Sequence, residues 1–391
     1  MERAWSYLEK LSRYPHRGVG TKEEAAAAAE VAEWLKSLGY HVDLQPFQAP
    51  RDTLYLGPVM LMLLFLVAAG LSVFGLSWAG LLLALLALAP LAGEMMGKNL
   101  DLDFYLPRVS SQNVIARLPA RGDEQKTIVL TAHVDTQHAT WLFHPRMVRH
   151  ISTYLNIAYG SLAFMLLALA LRGLFPETPW SMGVLAAAVG LLLAHLIFLL
   201  ACALTHTFIN GANDNGTGTA LALALAEHFA QDRLDGVRLH VVITGAEEVG
   251  TRGMKQFMRT ADYDRNTTYF INLDNLGGGK LHYLEGEGMT VYHRYGPDLV
   301  RTAAAMAAER AGAVRAKPNL LLPTDGMIPA AAGYQTISFL AFEEDGSLPN
   351  YHWYTDTLEN VDRELVAYAE RFLVEYVERV AAAPARRIAT D

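Results

Sequence analysis

The chain has 391 residues, enough for one large catalytic domain with additional segments. Its hydrophobic content of 52% and mean hydropathy of +0.17 are too high for an ordinary soluble enzyme. A formal net charge of -8 without a Lys/Arg-rich block argues against a nucleic-acid partner, and a lone cysteine, Cys202, excludes a disulfide framework and a thiolate metal site.

The N-terminus, Met1-Glu2-Arg3, lacks the basic and apolar regions of a secretory signal. Thr21-Lys22-Glu23-Glu24 is a capping box that opens an alanine-rich helix ending near Gly39. A strand is expected over Tyr40–Phe47. Two apolar runs follow, Leu54–Phe74 and Leu76–Gly93, and two more lie at Ile151–Leu171 and Trp180–Leu204. Each approaches the ~20 residues that cross a bilayer as helix, and none shows the polar stripe of a core helix. Further strands are expected at Gln112–Leu118, Thr127–Thr131, Val237–Thr244, Thr268–Leu273 and Thr336–Phe342, with helices at Thr217–Gln231, Pro297–Ala311 and Val361–Ala381.

This alternation predicts an α/β fold: a mixed, mostly parallel sheet sandwiched by helices. The apolar runs are expected as two transmembrane helical hairpins, 54–95 and 151–204, giving four spans inserted into a single domain over 1–391. An even number of crossings returns the polar sequence to one side of the bilayer. Arg51, Lys98, Arg146 and Arg149 flank the spans on that side, against Arg172 on the other, where Glu177 is nearby. The positive-inside rule then predicts a multi-pass inner (plasma) membrane protein with a cytoplasmic catalytic domain and the lipid bilayer as a partner. The spans contain no Lys, Arg, Asp or Glu; His195 is expected as a packed or lipid-facing neutral residue, and transport through the spans is not indicated.

Five acidic or His-containing motifs occur in order, most at expected strand ends, where open α/β sheets gather their sites. Thr131-Ala132-His133-Val134-Asp135 follows an apolar strand; the His can present a ring nitrogen to a metal and the Asp can fix the ring. Asn213-Asp214-Asn215-Gly216 lies in a Gly/Asn-dense turn that opens a helix. Gly245-Ala246-Glu247-Glu248 puts two carboxylates at the end of a buried strand, costly unless cations are near. Leu273-Asp274 ends another strand, and Tyr351-His352-Trp353-Tyr354-Thr355-Asp356-Thr357 precedes the last helix. Taken singly, each motif fits an ordinary surface turn or cap. Together, two His with Asp, Glu and Asp suit a pair of zinc ions with one bridging carboxylate, although cobalt or manganese would accept the same donors.

In this order the motifs resemble the co-catalytic di-zinc metallopeptidase family that includes bacterial leucyl aminopeptidases, glutamate carboxypeptidases and glutaminyl cyclases. The resemblance runs from about Thr21 to Ala381, outside the hairpins. It implies His133, Glu248, Asp274 and His352 as metal ligands, Asp214 as the bridging carboxylate and Asp135 as the residue orienting His133. It implies Glu247 as general base and Tyr351 as hydrogen-bond donor to the tetrahedral intermediate. Asp325 sits where the family often has Ser-Asp-His or Ser-Asp-Tyr; Gly326 departs from that pattern, which implies that a substrate-contacting side chain is missing there. A second departure is the hairpin between His133 and Asp214, where the family usually has a short loop. It suggests a site near the membrane surface that takes apolar or membrane-released peptides.

The expected function is a membrane-embedded two-zinc aminopeptidase that cleaves N-terminal peptide bonds with a hydroxide shared between the metals and a Glu general base. A carboxypeptidase, a glutaminyl cyclase or a lipid-amide hydrolase on the same scaffold are alternatives. So is a non-enzymatic membrane receptor or transport protein with a degenerate peptidase domain, though none of the metal ligands is lost. The residue preference and oligomeric state stay open.

Overall fold

The computed structural model of the protein describes residues 2–95, 106–288, 291–320 and 323–384. The chain packs into two compact units: one comprises Met1–Ala49, Arg108–Ala139 and Phe208–Asp391, the other Pro50–Pro107 and Thr140–Thr207.

The first unit is built on a mixed sheet of β1 (His41–Pro50), β2 (Arg108–Leu118), β3 (Arg121–His133), β4 (Asp235–Thr244), β5 (Thr268–Leu273), β6 (Lys280–Glu287), β7 (His293–Arg294), β8 (Val314–Asn319) and β9 (Gln335–Phe342). The spatial order is β1-β2-β4-β3-β5-β9-β6-β8, with β7 paired to β6. β4, β3, β5 and β9 run parallel, so Leu130 of β3 lies between Val241 of β4 and Ile271 of β5. β2 is antiparallel to β4, and β6 to β9. The expected mostly parallel sheet is therefore present at its centre. The central strands are apolar without alternation because both faces are covered: β3 is buried continuously from Lys126 to His133.

Alternate residues of β3 feed opposite cores. Ile128, Leu130 and Ala132 pack in the larger cluster with helices α1 (Arg3–Leu11), α2 (Lys22–Ser37), α7 (Gly218–Gln231), α9 (Pro297–Ala308) and α10 (Arg363–Ala382). Val129 turns the other way, to Met254 and Phe257 of α8 (Arg252–Thr260) and to Met327 and Ile328. The expected cap forms at Thr21, whose Oγ1 accepts from the Glu24 N–H at 3.2 Å, but the reciprocal half of the box does not: Glu24 accepts the Gly20 N–H, and the Thr21 N–H donates to the Gly18 carbonyl. α10 is likewise capped by Asp362, which accepts from the Glu364 and Leu365 N–H groups.

The second unit holds the apolar runs as α3 (Leu56–Val73), α4 (Ser77–Ala87), α5 (Ile151–Leu174) and α6 (Pro179–Thr205). Among the described residues, three helical segments, Leu56–Val73, Val148–Leu174 and Pro179–Thr205, are long and apolar enough to cross a membrane. The second run departs from the expected full span. Its helix stops at Leu88 and restarts as Ala89–Met95. Pro90 explains the break, since it has no N–H to give and its ring clashes with the carbonyl four residues back. Lys98, expected to flank this run, lies outside the described residues. At the tip between α3 and α4, Ser72 and Ser77 hydroxyls bond at 2.7 Å, and Gly80 lies so close to Ala68 that a Cβ would fall 2.4 Å from its carbonyl oxygen. Small residues at such a crossing let helix backbones meet. His195 is buried and its Nε2 bonds Ser161 Oγ at 3.0 Å. Large apolar side chains line the outside of the bundle, among them Val67, Leu86 and Ile197.

Candidate metal centre

Because β3, β4 and β5 are parallel, their C-terminal ends come together. His133 ends β3 in register with Thr244, the last residue of β4, and Asp274 follows β5 directly. Asp214 comes from the turn ahead of α7, and His352 from the loop ahead of α10. Chain segments more than 200 residues apart thus meet at one point.

Asp214 sits at the centre. Its Oδ1 lies 3.3 Å from His133 Nε2 and its Oδ2 lies 3.1 Å from His352 Nε2. Asp274 Oδ1 is 3.7 Å from His133 Nε2, and Glu248 Oε2 is 3.2 Å from His352 Nε2. Each histidine therefore shares Asp214 and has one further carboxylate of its own. Ligand atoms of His133, Asp214 and Glu248 all lie within 4.8 Å of one another. Nitrogen and carboxylate donors at this spacing suit a metal such as zinc. Glu248 Oε1 is buried without a hydrogen-bond partner, as expected of an oxygen meant for a cation.

The electrostatics agree. Burial raises the proton affinity of the Glu247, Glu248 and Asp274 carboxyls, and their neighbouring carboxylates add to it. Against the same burial, hydrogen bonds from His133 and His352 hold the Asp214 carboxyl well below its usual range. His352 is pushed up to about 10, since Glu248 and Asp214 outweigh its own desolvation. The cluster gathers more negative charge than the two imidazoles offset, so a bound divalent cation would stabilise it.

Glu247 stands at the edge, 4.0 Å from His133 Nε2, with its side chain 11% exposed. Of the pair, it is the carboxylate farther from a histidine nitrogen. The Tyr351 ring stacks on His352 with centroids 3.8 Å apart. Its hydroxyl is held protonated far above the usual range by burial and by the carboxylates of Asp214, Glu248, Glu247 and Asp274. All eight residues singled out in the sequence are brought together.

Asp135 is placed differently from the simple expectation that its carboxylate fixes the His133 ring. The nearer acceptor to His133 Nδ1 is the Asp135 main-chain carbonyl, at 3.1 Å, with the carboxylate at 3.7 Å. The carboxylate oxygens instead accept the N–H groups of Glu247 and Glu248, both at 3.0 Å.

Several supporting residues had no sequence signal beyond their polarity. Arg17 is fully buried and donates to the carbonyls of Val134, Asn210 and Gly211 at 2.7–2.8 Å, tying the chain around His133 to that ahead of Asp214. Asp356 accepts the N–H groups of Asn213 and Asp214, at 2.6 and 3.0 Å. Gln137 donates to the Glu248 carbonyl and to its Oε2, at 3.0 and 3.1 Å. Asp356 belonged to a motif noted in the sequence, but its partner lies 142 residues away.

Gly326 is explained by its surroundings. A Cβ there would meet Ser338 Oγ at 2.3 Å, Tyr295 Oη at 2.7 Å and Glu287 Oε1 at 3.3 Å. The space for a side chain is taken by a buried network in which Tyr295 and Thr324 donate to Glu287. The neighbouring Asp325 accepts from Thr244 Oγ1.

The sequence model of Peptidase family M28 matches residues 191–377, just under half of the chain, and includes Asp214, Glu247, Glu248, Asp274 and His352. No curated protein matches the chain. Among solved structures, a glutaminyl cyclase from Porphyromonas gingivalis is similar with a TM-score of 0.59 at 14% identity, covering 97% of each chain. A leucine aminopeptidase precursor from Bacteroides thetaiotaomicron gives 0.57 at 15%, covering 96% of each. A Zn-dependent exopeptidase from Parabacteroides distasonis gives 0.55 at 14%, covering 96% of this chain and 97% of its own. The resemblance carried by the motifs is thus borne out: residues 191–377 match Peptidase family M28, and the chain shares the fold of these solved structures, which together support a zinc-metallopeptidase-like enzyme.

Proposed function

We propose that the protein is a membrane-embedded two-zinc exopeptidase that removes residues from the N-terminus of peptides. The observation that carries this is Asp214, whose two oxygens face two histidines, each with a further carboxylate. That arrangement offers His133, Asp214 and Asp274 to one ion and His352, Asp214 and Glu248 to a second. Bound there, zinc would polarise the scissile carbonyl and acidify the attacking water. The protein's own residues do the rest. Glu247 takes a proton from the attacking water and delivers it to the leaving amine. Tyr351 donates its hydroxyl hydrogen to the oxyanion, a contribution of about 3 kcal/mol for one such donor. Arg17, Asp356 and Asp135 keep the donors in register.

The substrate class is proposed to be apolar peptides, including those released from membranes. The second apolar insertion leaves the catalytic unit six residues after His133, at Ala139, and re-enters it at Phe208, six residues before Asp214. The apolar bundle is proposed to lie in the inner membrane with the catalytic unit in the cytoplasm. Support comes from the three long apolar helices and the Arg bias at their roots.

A second reading, glutaminyl cyclisation, is favoured by the glutaminyl cyclase among the similar structures. One digest separates the two. A mixed peptide library is incubated with detergent-purified, zinc-loaded protein and with its Glu247→Ala variant, and products are read by mass spectrometry. Ladders shortened from the N-terminus, absent in the variant, support the aminopeptidase. Loss of ammonia from N-terminal Gln peptides with the chain intact supports the cyclase. No change of any peptide overturns both.

A further inference from the structure

Gln137 lies four residues after His133, at the stem where the second apolar insertion leaves the catalytic unit. It is buried, at 5% exposure, and both ends of its amide are bonded. Nε2 donates to the Glu248 carbonyl at 3.0 Å and to Glu248 Oε2 at 3.1 Å, while Oε1 accepts the His138 N–H at 2.9 Å. The bond to His138 fixes which way round the amide sits, so its hydrogens face Glu248.

The stem holds Gln137 in place. The Gln137 main-chain carbonyl accepts the Ile209 N–H at 3.1 Å, joining the outgoing chain to the returning one. The preceding residue is tied as well: Thr136 Oγ1 accepts the Arg17 N–H at 3.0 Å, and the Thr136 N–H donates back to the Arg17 carbonyl at 3.3 Å. The Phe208 ring stacks with His138 and with His16, at centroid separations of 3.8 and 4.7 Å. Gly18 makes room for that ring, since a Cβ there would fall 2.0 Å from Phe208 Cε1.

The Glu248 side chain is 6% exposed, and its two oxygens are unlike. Oε2 faces His352 Nε2 at 3.2 Å and the Gln137 amide, while Oε1 is buried without a hydrogen-bond partner. Once His352 gives its nitrogen to an ion, Gln137 is the side-chain donor that still holds this carboxylate. Partners of this kind orient a ligand and tune its grip.

We propose that Gln137 is a positioning residue for Glu248: its amide aims the Glu248 carboxylate beside His352 and so sets how tightly the ion shared by those two residues is held. The ion at His133 and Asp274 keeps its own donors. The proposal rests on the two-zinc reading for the ions, but not on which bond the enzyme breaks. The competing role is that Gln137 only clasps the stem to the turn through the Glu248 carbonyl. Phe208 separates the two, because its ring packs the same stem but has no hydrogen to donate.

The test titrates zinc and cobalt, without substrate, into full-length, metal-free wild type, Gln137→Met, Gln137→Ala and Phe208→Ala. It reads the two binding steps by chelator competition, the visible spectrum of bound cobalt and the melting temperature. Gln137→Met fills a similar space without the amide. It is expected to weaken one step by about ten- to a hundredfold, the usual loss for an outer partner, and to leave the other step unchanged. The cobalt spectrum of the weakened step should change, and that step should be the one that His352→Ala abolishes. Phe208→Ala should melt earlier, as loss of a packed ring does, yet keep both steps. Wild-type steps and spectra in Gln137→Met would overturn the proposal, as would equal weakening of both steps or the same loss in Phe208→Ala. Should Gln137→Met fail to fold, Gln137→Ala is judged by the same criteria. A wild type that binds fewer than two zinc ions would overturn the two-zinc reading and this proposal together. Two bound ions with no peptide cleaved would remove the peptidase reading alone, because the binding steps are read without substrate.

Discussion

Asp135 gives one carboxylate oxygen to the N–H of Glu247, at 3.0 Å, and the other to the next N–H along. Asp135, two residues after His133, therefore holds the main chain of Glu247 and Glu248 at the end of the neighbouring strand. His133 still has the Asp135 main-chain carbonyl for its Nδ1, and no side-chain substitution removes that. Asp135→Ala should thus retain bound metal but lose about 10- to 100-fold in kcat, the usual scale for an outer partner. Metal analysis beside steady-state kinetics checks it. Parallel loss of metal and rate would return Asp135 to the role of ring orienter.

Glu247 and Asp214 should separate in the opposite sense. Glu247→Ala removes the proton carrier but none of the close histidine contacts, so metal stays and the rate drops by about three orders of magnitude or more. Asp214→Ala removes the oxygens facing both histidines, so metal and activity should vanish together. Metal stoichiometry after desalting decides between them.

Gly326 should tolerate no side chain. Gly326→Ala drives a methyl against Ser338 Oγ and Tyr295 Oη, and Gly326→His drives a ring there. Overpacking of this kind costs about 1–3 kcal/mol, so both variants should melt earlier than wild type, the histidine variant more so. A histidine variant that melted at the wild-type temperature would mean that this network yields readily.

The same network carries a pH dependence. Burial pushes the Glu287 carboxyl up to about 7 from 4.5, despite donors from Tyr295 and Thr324. The folded protein therefore holds this proton where the unfolded chain has released it. Stability from this group is complete below pH ~4.5 and is lost as pH rises through about 7, a change of about 3 kcal/mol. Glu287→Gln cannot titrate. The difference in melting temperature between wild type and variant should shift in favour of the variant from pH 5 to pH 7.5. A difference that stays constant across that range would show that Glu287 is not protonated in the fold.

Topology is testable with cysteines in a Cys202→Ala background. Phe74 and Glu177 lie exposed at the turns of the two helical pairs, and Lys22 is exposed on the catalytic unit. In sealed vesicles, an impermeant maleimide that labels Lys22→Cys should miss Phe74→Cys and Glu177→Cys, and the reverse. Simultaneous labelling of all three would rule out the hairpin arrangement.

Much of the sheet was legible because its central strands are buried on both faces and read as apolar runs, as Thr268–Leu273 does without a shift in its ends. The outer strand Val314–Asn319 was not, because an edge that is largely exposed carries Arg315, Lys317 and Pro318 and shows no apolar pattern. His133, Glu248 and Asp274 were legible because each ends or follows such an apolar run, whereas Asp214 was marked by its Gly/Asn-dense turn and His352 by its place in the order of motifs. Arg17 and Gln137 were not, because they act through partners as far as 194 and 111 residues away, and nothing local marks them. The break at Leu88 was readable from Pro90, but the apolar content of the run masked it.

The second insertion divides the donor set in time as well as along the chain. His133 is synthesised before residues 140–207, and Asp214, Glu248, Asp274 and His352 after them. A nascent chain that has reached the end of α6 holds one donor of five and lacks Glu247. Every apolar helix has been made before the second donor emerges from the ribosome. Completion of the donor set is therefore ordered by translation itself: the last donor, His352, is made only after all of residues 140–207.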